Sequence, residues 1–141
     1  MHKLLSIFRE FSEFPKLRYS KLSENSAEKF YHDLLNSRFA EALQADEKLE
    51  LNIDYTAGYT SSFLDEAFGN LVYDFGLDAV NENLIIISKD EPYWLDMIKN
   101  ETFNEWEKRR IDNKPPIKTV SHPAWFRLVN NKLEKKVWVN V

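Results

Sequence analysis

The sequence has no cysteine, which excludes a disulfide scaffold, a thiol nucleophile and a Cys-ligated zinc site together. It has only 3 Gly and 5 Pro, so the connections should be short. No Gly-rich run and no G-K-[ST] is present, which argues against a nucleotide-binding loop. The 3 histidines, His2, His32 and His122, lie far apart, so a catalytic metal would need mostly carboxylate ligands. No stretch approaches the ~20 apolar residues of a membrane span. The opening MHKLLSIFREFSEF holds one short apolar patch broken by Arg9 and Glu10, unlike a secretory leader. These absences lead us to expect a soluble cytoplasmic protein that needs no cofactor.

Hydrophobic residues, by contrast, reach 43% and aromatics 14%, enough to bury a core and to exclude a mostly disordered chain. At 141 residues, one domain with appendages is expected. The formal net charge of −4 is the sum of two unlike parts. Residues 1–107 hold 10 Lys/Arg and 21 Asp/Glu, or −11; residues 108–141 hold 9 and 2, or +7. Such asymmetry fits a basic segment that lies against its own acidic body, or one that reaches for an acidic partner.

Periodicity organises the rest. Leu17–Leu22 reads as a first strand, followed by a helix that starts near Asn25, with Glu28 placed for a capping box. Phe30, Tyr31, Leu34, Leu35, Phe39, Ala42 and Leu43 form its apolar stripe. Residues 48–55 alternate as a half-buried strand. Phe63, Leu64, Ala67, Phe68, Leu71, Val72 and Phe75 mark a second helix ending near Gly76. Leu84–Ile87 reads as a central strand covered on both faces. A third helix opens at Asp90 or Glu91 and runs to about residue 111, and Asn113-Lys114-Pro115-Pro116 stops it. Trp125–Val129 and Leu133–Val139 flank an Asn-rich turn as a β-hairpin. The expected boundaries are therefore an N-terminal extension (1–14), an α/β domain (15–112) and a basic linker with hairpin (113–141).

The most informative stretch is Asp54-Tyr55-Thr56-Ala57-Gly58-Tyr59-Thr60-Ser61-Ser62-Phe63-Leu64-Asp65-Glu66-Ala67-Phe68-Gly69. A strand ends, a Gly permits a tight turn, and three hydroxyls stand where a helix begins. One hydroxyl should cap the helix, and Ser62 with Asp65 has the capping-box spacing. The same geometry would present a serine at a loop tip, where a phosphate gains from the helix dipole and free N–H groups.

The run NIDYTAGYTSSFLDEAFGNLVYDFG resembles the signature stretch of the STAS-like proteins of unknown function. These are bacterial relatives of anti-sigma-factor antagonists and of the STAS domains of sulphate transporters. The resemblance, over roughly residues 15–110, implies an α/β fold with a mixed central sheet of about four strands and helices packed on it, with the C-terminal β-hairpin beyond. It also implies a non-catalytic, protein-binding regulatory role. The partner would be a serine-kinase-type ATPase or anti-sigma-like regulatory protein, which phosphorylates the antagonist at this helix start. Carried over, the phospho-acceptor is Ser61 or Ser62, with Asp54, Tyr59, Thr60, Asp65 and Glu66 as docking residues. Two positions depart from the antagonist pattern: Thr60 replaces the usual Asp, and Phe63 the usual Gly.

Two other readings can be weighed on the residues. A serine hydrolase would need a base near Ser61, yet GYTSSF is not the G-x-S-x-G elbow. The histidines are expected at a terminus (His2), on a solvent-facing helix position (His32) and in a turn (His122). Alternatively, Arg127, Lys132, Lys135 and Lys136 with Trp125 could make the chain a nucleic-acid-binding accessory protein, since bases stack on aromatics and phosphates pair with cations. Strand alternation gives no clean basic stripe there.

Overall fold

In the computed structural model, which describes residues 2–138, strand β1 (His2–Ser6) runs parallel to β2 (Lys48–Asn52), and β2 runs parallel to β3 (Leu84–Ile87). The order β1-β2-β3 never reverses. Right-handed crossovers that step in one direction put every connecting helix on the same side of a sheet. Accordingly Leu5, Leu49 and Leu51 are buried under helices, with Leu84 and Ile86 packed against that core. On the other face Leu4 is 66% exposed.

Four sequence expectations change here. The sheet has three parallel strands, not a mixed set of about four, and the hairpin stands as its own two-stranded sheet. The segment expected as an N-terminal extension supplies β1, so it belongs to the domain. Leu17–Leu22 is not a strand. Leu17 sits at φ 70°, the Leu22 and Ser23 amides fold back onto the Tyr19 carbonyl, and the segment hooks onto the next helix through Ala27 N to Leu17 O. Leu84–Ile87 is an edge strand rather than a central one, and all four of its residues are only half-buried.

A short helix α1 (Ile7–Glu10) leaves β1. The first long helix joins α2 (Ala27–Phe30), a π-helical turn at Tyr31–Leu35, and α3 (Asn36–Gln44). Its cap is Ser26, whose Oγ accepts from Lys29 N, rather than Asn25, and Glu28 turns to other partners. Helix α4 (Ser61–Phe75) is buried almost all round, as a central core helix must be. It leads through Gly76 into α5 (Leu77–Asn83). The last long helix joins α6 (Tyr93–Met97), a π-helical turn at Ile98–Thr102, and α7 (Phe103–Ile111), which packs along α4. No helix among the described residues is long and apolar enough to cross a membrane.

The hairpin pairs β4 (Trp125–Val129) with β5 (Lys132–Lys136). Asn130 and Asn131 both have positive φ, 52° and 64°, the turn type that matches strand twist. Val139, the expected end of the second strand, lies outside the described residues. Asn36 fixes the hairpin to α3, since its Nδ2 donates to Phe126 O and its Oδ1 accepts from Phe126 N, both at 2.9 Å.

Candidate functional site

The loop between β2 and α4 leaves the carboxyl end of a parallel sheet, where open α/β folds place ligand-binding residues. Asn52 Oδ1 accepts from Asp54 N, and Tyr55 follows in a left-handed conformation, φ 75°. Gly58 has φ 130°, a conformation that side chains rarely adopt. Tyr59 then folds back so that its OH donates to Ile53 O at 2.6 Å, and burial pushes that phenol well above its ordinary pKa.

The three hydroxyls diverge at this point. Thr60 Oγ1 caps α4 by accepting from Phe63 N at 3.2 Å, and also accepts from Leu17 N at 2.9 Å. Ser62 Oγ donates to Thr60 Oγ1 at 3.1 Å. The cap is thus Thr60, not Ser62, and no Ser62–Asp65 box forms, because Asp65 is bound elsewhere. Ser61, at the first helical position, is the exposed member of the trio.

The other expected docking residues are engaged inside the fold. Asp54 is buried and accepts from Lys89 N and Asp90 N, closing the β3–α6 loop. Asp65 accepts from Arg18 (2.7 Å), Thr102 Oγ1 (3.0 Å) and Trp106 Nε1 (3.3 Å). Glu66 is buried against Arg18 and Asn70. Its carboxyl is raised by burial in spite of those partners. Asp65 and Glu66 therefore hold α4 to Arg18 and to α7 and do not form an exposed charged edge.

A second polar constellation, not anticipated as a site, ties the basic C-terminal segment to the acidic body. Glu28 accepts from Ser20 N, Thr119 N and Thr119 Oγ1, and its Oε2 lies 2.5 Å from His122 Nε2. Burial alone would raise this carboxyl, but the His122, Thr119 and Ser20 bonds outweigh it and hold it at about 2. The His122 ring stacks on His32, with centroids 3.7 Å apart, and Trp125 meets His32 edge-on. His32 is therefore packed rather than solvent-facing. Burial, with Lys118 and His122 nearby, pushes its pKa down to about 2.

Deeper in, Asp74 accepts from Tyr31 OH (2.6 Å) and Arg127 Nε (2.7 Å). Lys118 Nζ donates to Asn70 Oδ1 at 2.6 Å. Burial lowers the Lys118 amine and raises the Asp74 carboxyl. The visible sequence signal for this network was the opposed charge of the two segments; its pairs, Glu28–His122 and Asp74–Arg127, lie too far apart in the chain for any local pattern.

The basic aromatic set is likewise engaged. Trp125 is buried, Arg127 lies over Tyr73 and Trp138, Lys135 over Phe126 and Lys136 over Trp138; Lys132 is exposed beside the turn. A groove of about 830 Å³ bordered by His122, Glu24, Lys29 and Asp33 does not include Ser61. No group of three or more metal-ligating side chains comes together among the described residues.

Residues 26–94 match the family model of a STAS-like domain of unknown function. The matched span starts at the α2 cap and ends in α6, with the Thr60–Ser62 loop near its middle. No curated protein and no solved structure matches the chain.

Proposed function

From the match of residues 26–94 to the STAS-like family model, we propose that this chain is a non-catalytic regulatory module that binds a partner protein around the start of α4 and is switched by phosphorylation of Ser61. The reading rests chiefly on one observation: Thr60 and Ser62 are hydrogen-bonded within the cap while Ser61 is exposed. A phosphate on Ser61 would add about −1.5 to −2 charge beside the free N–H groups of the first turn, where the helix dipole favours it. Because Thr60 already caps the helix, modification of Ser61 can alter the docking surface without unfolding α4.

The partner that fits is a serine-kinase-type ATPase or anti-sigma-like regulator. The test incubates the protein with a serine-kinase-type ATPase of the anti-sigma class and ATP, and maps phosphate by mass spectrometry. Phosphate on Ser61, and partner binding retained by Ser61→Ala but lost with Ser61→Glu, is the expected result. Phosphate elsewhere, or binding indifferent to both substitutions, overturns the proposal.

A further inference from the structure

The two edges of the parallel sheet are treated differently. At β1, Arg38 reaches the outward Leu4 carbonyl at 3.5 Å and is held there by Glu10 at 2.6 Å, so a paired charge blunts that edge. Strand β3 is the uncharged run Leu84-Ile85-Ile86-Ile87, and among the described residues it pairs only with β2. Ile87 O accepts from Ile53 N, so the parallel ladder turns the backbone groups of Ile85 and Ile87 toward β2. By alternation, those of Leu84, Ile86 and Ser88 point away from the sheet. The Leu84 N–H is already taken by Val80 O. Among the described residues, no loop or second strand hydrogen-bonds the Ile86 N–H or carbonyl.

The side chains add to this. Register sets Ile85 level with Glu50 and Leu4, and Ile87 level with Asn52 and Ser6, on the face that the helices leave bare. All-parallel sheets are rarely left open on one face.

We propose that β3 is a self-pairing edge, at which a second copy of this chain adds its own β3 antiparallel, with Ile86 opposite the partner's Ile86. In this register the Leu84 carbonyl meets the partner's Ser88 N–H, and the reverse, while the Leu84 N–H stays on Val80 O. Ile85 faces the partner's Ile87 on the bare face, also twice by symmetry. The two three-stranded sheets become one of six strands, and four isoleucines gather where each copy alone exposes two.

Charge favours a second copy as the occupant. The segment 83–88 carries none, so two copies do not repel at the axis. Glu82 and Lys89 flank it with opposite signs, both exposed and neither in an ion pair among the described residues. Antiparallel pairing sets Lys89 of each copy opposite the partner's Asn83, one residue from its Glu82 at the end of α5. Asp90, the next acid, is directed to Tyr55 N instead. A two-fold axis through Ile86 makes the contact closed and isologous, the commonest oligomer symmetry. One strand pair lies at the small end of interface sizes, so the dimer should form in the micromolar range.

The test is sedimentation equilibrium from about 1 to 500 µM, with register-specific cross-linking. Position 85 and the partner's position 87 form a non-hydrogen-bonded pair about 4.5 Å apart at Cα, within disulfide reach. The chain has no native cysteine to compete. Under mild oxidation, Ile85→Cys mixed with Ile87→Cys should give a disulfide dimer that neither variant gives alone. Ile85→Lys should weaken the dimer by about tenfold or more with unchanged thermal unfolding. Glu82→Lys and Lys89→Glu should each weaken it, and the double variant should restore it. A chain monomeric throughout with no mixed cross-link overturns the proposal, as does a dimer indifferent to Ile85→Lys. Should Ile85→Lys fail to fold, the cross-link decides. Pairing with a foreign peptide strand by a monomeric chain would also overturn it, by naming a different occupant.

Discussion

Among three consecutive hydroxyls at the start of α4, position decides role. Thr60 serves two amides, Phe63 N and Leu17 N, so it joins the helix cap to the loop before α2. Thr60→Val should therefore cost about 1–2 kcal/mol, as loss of a cap does, while Ser61→Ala stays within about 0.5 kcal/mol. Urea unfolding of the two variants checks the contrast. The capping signal in the sequence is real, but the Ser62–Asp65 spacing points to the wrong hydroxyl. Asp65 is instead drawn to Arg18, Thr102 and Trp106, partners contributed from 47, 37 and 41 residues away. No local rule could rank those contacts above the box.

A second residue-scale consequence concerns acid. His32 is held neutral by burial, with its folded pKa near 2 against an ordinary 6.5. Below pH 6.5 the unfolded chain takes up this proton and the folded one does not, so stability falls as pH drops. Between pH 7 and 5 this amounts to about 2 kcal/mol. Glu28 acts later, because its pKa is lowered from 4.5 to about 2; its contribution is present above pH 4.5 and is lost on the way to 2. Glu66 and Asp74, both raised, act in the opposite sense. The clean measurement is therefore the difference between wild type and His32→Phe, in urea midpoints at pH 7 and 5. The variant should show a shallower decline.

At the scale of elements, the helices were legible because their apolar residues recur at the helical period and their ends carry caps. Phe63 to Phe75 on α4 is the clearest case, with Gly76 at its end. Strand β1 was not legible. It is five residues long, lies on an edge and alternates poorly, with Leu4 exposed beside buried Leu5. Conversely, Leu17–Leu22 alternated well enough to look like a strand, but nothing in the sequence announced the left-handed turn at Leu17. Helix packing also gave one glycine a role that its local context hides. A Cβ on Gly69 would lie 2.1 Å from the Trp106 ring, where α4 and α7 touch. Gly69→Ala improves helix propensity by about 1 kcal/mol, yet it must displace a buried indole. We expect a net loss of about 1–3 kcal/mol, read from the melting temperature, and recovery in the double variant that also carries Trp106→Leu.

At the scale of the whole molecule, the opposed charges of the body and the C-terminal segment meet inside the protein. Asp74 with Arg127, and Glu28 with His122, hold the segment from Lys118 to the hairpin against α2, α3 and α4. Opposite charge alone would predict a docking that dissolves in salt. The geometry alters that expectation, because Asp74, Glu28 and His122 are nearly inaccessible and screening acts mainly on exposed charges. Trp125 and Phe126 add apolar contact that salt does not weaken. A protease site placed in the exposed stretch at Asn113–Pro115 would part the acidic body, with α7, from the basic segment that carries Lys118, Arg127 and the hairpin, without touching a buried residue. After cleavage the fragments should stay associated, and raising salt from 0.05 to 1 M should loosen them by less than about tenfold. Arg127→Ala should release the hairpin fragment far more, since it strands the buried Asp74 carboxylate at a cost of about 3–5 kcal/mol. If salt alone separates the cleaved halves, then long-range attraction rather than the buried pairs joins them, and the Arg127 substitution should then have no greater effect than loss of any single surface cation.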